Sequence, residues 1–112
     1  MSIILKVATE FSRTPGARYS KEGEFSGELF RTKYLSPKLE EAIRGNTKLI
    51  VDLDGTSGYG TSFLEEAFGG LIRNGITNKQ ICENLDFISN EDPSYIEEIK
   101  EYISDALNHE SH

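Results

Sequence analysis

The stretch that most constrains this chain is residues 48–74, where a short apolar run, a glycine-rich loop and one long amphipathic period follow one another. Leu49-Ile50-Val51, set between Lys48 and Asp52-Leu53, reads as a strand with a buried centre. Phe63, Leu64, Ala67, Phe68, Leu71 and Ile72 then recur at i, i+1, i+4, i+5, i+8 and i+9, which paints one continuous apolar face on a helix. Gly75 supplies a left-handed stop for that helix. A strand that feeds a helix through a loop is half of a βα unit, and 112 residues leave room for one domain with one core around it.

The flanking segments extend the pattern. Ile3-Ile4-Leu5-Lys6-Val7-Ala8-Thr9 is β-rich and ends at the turn signals Thr14-Pro15-Gly16, so it reads as a strand. Arg18-Tyr19-Ser20 reads as a second short strand returning beside it. Ser26 is placed as the N-cap of a helix opening with Gly27-Glu28-Leu29-Phe30, and Pro37 as the first turn of a following helical segment through Ile43. Gly45-Asn46 ends that segment. Asn78 to Leu85 reads as a short helix, and Phe87-Ile88 as a short strand. Asp92-Pro93 opens a last helix whose apolar face is Ile96, Ile99, Ile103, Ala106 and Leu107. The expected fold is α/β: a small mixed sheet of about four strands with helices packed mainly on one side. Residues 1–107 form one domain in this reading, and residues 108–112 a polar tail that frays.

Composition narrows the function classes. Apolar residues make up 37% and charged residues 28%, and the longest apolar runs fall far short of the ~20 residues that span a bilayer. No basic segment followed by a long apolar run marks a secretory signal, so a cytoplasmic location with no membrane partner is expected. Cys82 is the only cysteine, which excludes an internal disulfide and a cysteine-rich zinc site. The net charge of -7 argues against nucleic acid as a partner. It is unevenly spread: residues 1–48 sum to +3, residues 49–112 to -10, and residues 91–112 alone to -6.

Chemistry, if the sequence shows any, belongs in the loop Asp52-Leu53-Asp54-Gly55-Thr56-Ser57-Gly58-Tyr59-Gly60-Thr61-Ser62. Asp52-Leu53-Asp54-Gly55-Thr56 after an apolar strand matches the DxDGT motif of haloacid-dehalogenase-type phosphatases. There one carboxylate is the nucleophile, a second the acid/base, and Mg²⁺ neutralises the phosphoryl group. The motif lacks its usual context here, because further strands must deliver a lysine and an acidic pair and the segments after it read mainly as helix; Glu91-Asp92 could imitate the acidic pair. Gly55 and Gly60 have P-loop spacing, but Thr61 stands where the phosphate-binding lysine belongs. Ser57, Thr61 and Ser62 offer hydroxyls for regulatory phosphorylation near a helix start, where free N–H groups and the dipole stabilise a phosphate. Against these stands plain capping: Ser62-Phe63-Leu64-Glu65 is a capping box, and Asp52 and Asp54 can satisfy turn N–H groups.

Other residues have simpler readings. His109 and His112, with Glu110 between them, are two tail residues and an unpersuasive metal site. Cys82, beside Ile81 and Leu85, is expected to be a small buried hydrophobe. Arg13, Arg18, Tyr19 and Lys21 make a small basic-aromatic group on a solvated turn. Glu97, Glu98, Glu101 and Asp105 make the outer face of the last helix acidic.

Leu49-Ile50-Val51-Asp52-Leu53-Asp54-Gly55 together with Ser62-Phe63-Leu64-Glu65-Glu66-Ala67-Phe68-Gly69-Gly70-Leu71 resembles the bacterial STAS-like domain of unknown function. Gly16-Ala17-Arg18 and Phe25-Ser26-Gly27-Glu28-Leu29-Phe30 resemble the same family, so the likeness runs over roughly residues 3–105. It implies a non-enzymatic regulatory module without cofactor or metal, related to anti-sigma-factor antagonists. In such modules a partner ATPase of the histidine-kinase-like fold phosphorylates a serine at the strand–loop–helix junction and so breaks binding. The resemblance places Ser62 at the phosphoacceptor with Thr61 beside it. It makes Asp54, Gly55, Thr56, Ser57, Gly58, Tyr59 and Gly60 the interaction loop. Gly60 stands where those domains carry aspartate and Phe63 where they carry glycine; a bulky Phe63 on the apolar face favours Ser62 as a fixed cap. Gly69-Gly70 inside the helix costs about 1 kcal/mol per glycine, which points to close approach of the helix to the sheet or to a partner.

Overall fold

The computed structural model describes residues 2–110. Three strands, β1 (Ser2–Lys6), β2 (Lys48–Asp52) and β3 (Leu85–Ile88), form a parallel sheet in sequential order. The expected α/β class holds, with three parallel strands in place of a mixed sheet of about four. The missing strand is Arg18-Tyr19-Ser20, which forms bends and turns. Its neighbourhood serves the next helix instead: Gly27 N–H donates to the Ala17 carbonyl at 2.8 Å and Glu28 N–H to that of Arg18 at 3.0 Å. The first N–H groups of a helix have no partner within it, and carbonyls used there are not free to pair with β1.

Four helices complete the described chain. Helix α1 covers residues 27–44 as Gly27–Phe30, a π-helical turn Arg31–Leu35 and Ser36–Arg44. Helix α2 covers residues 61–73 as Thr61–Leu64, a π-helical turn Glu65–Gly69 and Gly70–Arg73. Helices α3 (Asn78–Asn84) and α4 (Ser94–Glu110) follow. The Ser26 hydroxyl accepts from Leu29 N–H at 3.0 Å, as the sequence predicts for the α1 cap. Pro37 lies in the first turn of the segment Ser36–Arg44, as the sequence predicts, but that segment continues directly from the turn before it. The wide turn Arg31–Leu35 lies just ahead of it, where the i→i−4 ladder is already interrupted, so α1 passes through the proline unbroken. Its exit uses Asn46, at φ +51°, with Thr47 N–H reaching back to the Ala42 carbonyl. Helix α3 has a full capping box between Thr77 and Gln80 that the sequence reading passed over. The Asp92 carboxylate accepts from Ser94 N–H at 3.0 Å and opens α4. Ser111 and His112, the end of the polar tail and one of its two histidines, lie outside the described residues.

The register explains the layering. Ile3, Leu49 and Leu85 stand abreast, as do Leu5, Val51 and Phe87, on the face that the helices cover. Sequential parallel strands joined by right-handed crossovers put every helix on one side. Leu5, Leu49 and Val51 are fully buried there against Leu35, Leu39, Phe63, Leu64, Ala67, Phe68, Leu71 and Ile99. The α2 residues among these are the periodic set that the sequence singled out. β1 is shorter than the run to Thr9, because Val7–Phe11 coils into one π-helical turn. That turn carries Phe11 to the rings of Phe30, Tyr34 and Phe25 at centroid distances of 5.2, 5.4 and 5.7 Å. Cys82 corrects an expectation: it is exposed on α3, one position past buried Ile81.

Candidate functional site

Open parallel α/β sheets present ligand-accessible loops beyond the carboxyl ends of their strands, and the loop after β2 lies there. Its conformation is fixed by its own polar groups. The Asp52 carboxylate accepts from Asp54 N–H at 3.0 Å, and the Asp54 carboxylate from Glu91 N–H at 2.9 Å. Gly55 N–H donates to the Glu91 carboxylate at 2.8 Å. Gly55 and Gly58 have φ of +94° and +131°, conformations that side-chain-bearing residues rarely adopt. Ser57 N–H donates to the Arg13 carbonyl at 2.8 Å, which ties this loop to the one before α1. Tyr59 turns inward: its hydroxyl donates to the Leu53 carbonyl at 2.8 Å and its ring meets Tyr95 edge-on at 5.1 Å. Burial pushes the Tyr59 phenol well above its ordinary range.

Asp52, Asp54 and Glu91 therefore meet, as the phosphatase motif would ask of an acidic set, but each has a carboxylate oxygen on a loop N–H group. Among the described residues no group of three or more His, Cys, Asp and Glu is arranged to hold a metal ion. The arrangement that serves here is a rigid turn, in which Gly55, Ser57 and Gly60 are the exposed residues and Asp54, Thr56, Gly58 and Tyr59 are half-buried.

Helix α2 begins where this loop ends. Its N-cap is Gly60 in an extended conformation with no side-chain cap, so the expected capping box from Ser62 to Glu65 does not form. Phe63 is fully buried and turns Ser62 outward rather than fixing it as a cap. Thr61 and Ser62 are both exposed, and neither hydroxyl has a hydrogen-bond partner among the described residues. They line an open recess of about 480 Å³ with Gly16, Ala17, Arg18, Glu22 and Gly60.

One helical turn further along α2, two carboxylates meet three guanidinium groups, a network that sequence reasoning missed. Arg31 on α1 is buried, and its Nη1 donates to the Glu66 carboxylate at 2.5 Å and to the Glu66 carbonyl at 2.6 Å. Arg18 bonds Glu65 and lies 3.6 Å from Glu66. Arg73 bonds Glu65 through both terminal nitrogens, at 2.7 and 3.2 Å. Burial alone would raise the Glu65 carboxyl, but the hydrogen bonds from Arg73 and Arg18 outweigh it and hold it below its ordinary range. Hydrogen bonding to Glu65 raises both Arg18 and Arg73 in turn. Gly69 and Gly70 are explained here rather than at the sheet. A Cβ on Gly70 would lie 2.9 Å from Arg31 Cζ, and one on Gly69 would lie 3.3 Å from both Arg73 Nη1 and Glu65 Cδ. Gly27 has the same role on α1, where a Cβ would stand 2.5 Å from the Phe63 carbonyl oxygen. The available sequence signal was the paired glycines opposite an arginine, visible only once α1 and α2 are known to cross.

A one-sided parallel α/β domain with a structured loop leading into its central helix is the class that fold and site define. A family profile, the STAS-like domain of unknown function (DUF4325), matches residues 26–95, and the chain belongs to that family. No curated protein and no solved structure matches the chain. Among the described residues no helix is long and apolar enough to cross a membrane.

Proposed function

We propose that the chain is a non-catalytic bacterial regulatory module of the cytoplasm that works by protein–protein contact. Its contact surface is the Asp54–Gly60 loop with Thr61 and Ser62. The partner is an ATPase of the histidine-kinase-like fold, which phosphorylates Ser62, or Thr61 beside it, from ATP and is released by the product. One observation carries this reading: the two hydroxyls at the start of α2 are exposed and unengaged, in a recess that also holds a guanidinium group. A helix start with no side-chain cap leaves N–H groups and a positive dipole end for an added phosphate. The rigid loop supports recognition, because a preformed surface loses little freedom on binding.

The test is incubation of the full chain with the histidine-kinase-like ATPases of its host, one at a time, and ATP, followed by intact-mass measurement. A phosphate mass shift that disappears in Ser62→Ala supports the proposal. A shift absent from the wild type, or retained in the Thr61→Ala/Ser62→Ala double variant, overturns it. So does Mg²⁺-dependent hydrolysis of an aryl phosphate that Asp52→Asn abolishes, which would establish the phosphatase reading of Asp52 and Asp54.

A further inference from the structure

Arg18 belongs to two constellations at once. It bonds Glu65 on one side, and on the other it lines the recess shared with Thr61 and Ser62. Its side chain is 29% exposed, whereas that of Arg31 is 9% exposed and anchored on the Glu66 carbonyl. Arg18 has room to change partner; Arg31 has none. The network also tolerates such a change. Three guanidinium groups face two carboxylates, so one positive charge is in excess. Glu65 keeps two hydrogen bonds from Arg73, and Glu66 keeps Arg31.

Helical spacing makes the change favourable once Ser62 carries a phosphate. Ser62 precedes Glu65 by three residues and Glu66 by four, so the three side chains share one face of α2, with neighbouring Cβ atoms about 5–6 Å apart. A phosphate adds about -1.5 to -2 charges beside those carboxylates. The cation placed to relieve that repulsion is Arg18, which already lines the recess. Glu22 is the carboxylate among the recess-lining residues, and its Oε1 accepts from Tyr19 N–H at 3.1 Å.

We infer that Arg18 reads the modification: on phosphorylation of Ser62 its guanidinium leaves Glu65 for the phosphate. The inference rests on Ser62 being the phosphoacceptor, and it adds how the modification reaches the surface. The Arg18 carbonyl holds Glu28 N–H at the start of α1, and the Arg13 carbonyl in the same loop holds Ser57 N–H of the contact loop. The loop that carries Arg18 is thus bonded both to the start of α1 and to the contact loop.

The experiment uses the full chain with phosphoserine incorporated in place of Ser62 by genetic-code expansion, so no ATPase is needed. Phosphorus NMR follows the second ionisation of the phosphate in the Arg18 protein, in Arg18→Gln and in Arg18→Lys. Pairing with the guanidinium lowers that ionisation by about half a unit relative to Arg18→Gln, with Arg18→Lys between the two. In the Arg18 background the Nε–Hε resonance of Arg18 also moves when phosphoserine replaces Ser62, a readout that needs no substitution at Arg18. Identical titrations in the Arg18 and Arg18→Gln proteins, or an unmoved Arg18 resonance, overturn the inference while leaving phosphorylation of Ser62 standing. Failure of the ATPase to modify Ser62 would instead remove the functional reading and leave this titration unchanged.

Discussion

Arg31 crosses from α1 to α2 and brings the cation that a buried carboxylate of α2 needs. It neutralises Glu66, whose side chain is 9% exposed, and it adds a second donor to the Glu66 carbonyl, which already accepts from Gly70 N–H. A buried carboxylate left without its cation costs up to about 3–5 kcal/mol, whereas a carbonyl that keeps its backbone donor loses little. Arg31→Met keeps the bulk and removes the cation. Arg18 and Arg73 remain 3.6 Å from Glu66, so the expected loss is about 2–3 kcal/mol, below the upper end for a fully orphaned buried charge. Adding Glu66→Gln should recover part of it, because the two changes share one interaction. Urea unfolding of the single and double variants measures both; strictly additive losses would contradict the pairing. At this scale the sequence was only partly legible. Ser26 could be placed as a cap from local chemistry alone. The pairing of Arg31 with Glu66 spans 35 residues and leaves no local pattern, so it stayed hidden. The spacing of Ser62 to Glu65 imitates a capping box, whereas Phe63 in the core and Gly60 at the N-cap position set the actual start of α2.

Strands and helices show the same division between what is local and what is not. The α2 face was readable to the residue, since six apolar positions repeated the helical period. The Arg18-Tyr19-Ser20 strand was not real, because β-prone residues say nothing of a competing demand for their carbonyls by the start of α1. The sheet edges are likewise a matter of tertiary placement. β1 and β3 each have a free side, and the structure covers an N–H group on each with a carboxylate. Lys6 N–H donates to Glu10 at 2.8 Å, and Phe87 N–H donates to Asp86 at 2.9 Å. Phe87 N–H faces away from β2, because it is Ile88 whose carbonyl receives Leu53 N–H. Unpaired edges template association between chains, and charge on the edge discourages it. The Glu10→Ala/Asp86→Ala double variant should keep its fold by circular dichroism but associate more as concentration rises. Light scattering across a concentration series reads that directly; a monomer signal as flat as that of the wild type would show that these carboxylates do not guard the edges.

The whole molecule is one-sided, and that asymmetry has a measurable signature. The helices, the candidate contact loop and the Arg–Glu network all lie to one side of the sheet or beyond the strand ends, while Ile4, Ile50 and Asp86 stand abreast on the other face. Ile4 is 50% exposed although it is flanked in β1 by partly buried Ile3 and fully buried Leu5. Because side chains alternate across a strand, neighbours one residue apart should respond to substitution in opposite ways. Leu5→Ala should cost about 2–5 kcal/mol, the range for deleting a buried leucine side chain. Ile4→Lys should change stability by no more than about 0.5 kcal/mol, as surface substitutions do, and it adds a positive charge to a chain whose net charge is -7. Urea midpoints for the two variants test the layering in one experiment. A loss at Ile4 comparable with that at Leu5 would mean that the second face is covered in solution, and a midpoint rising with protein concentration would identify another copy of the chain as the cover.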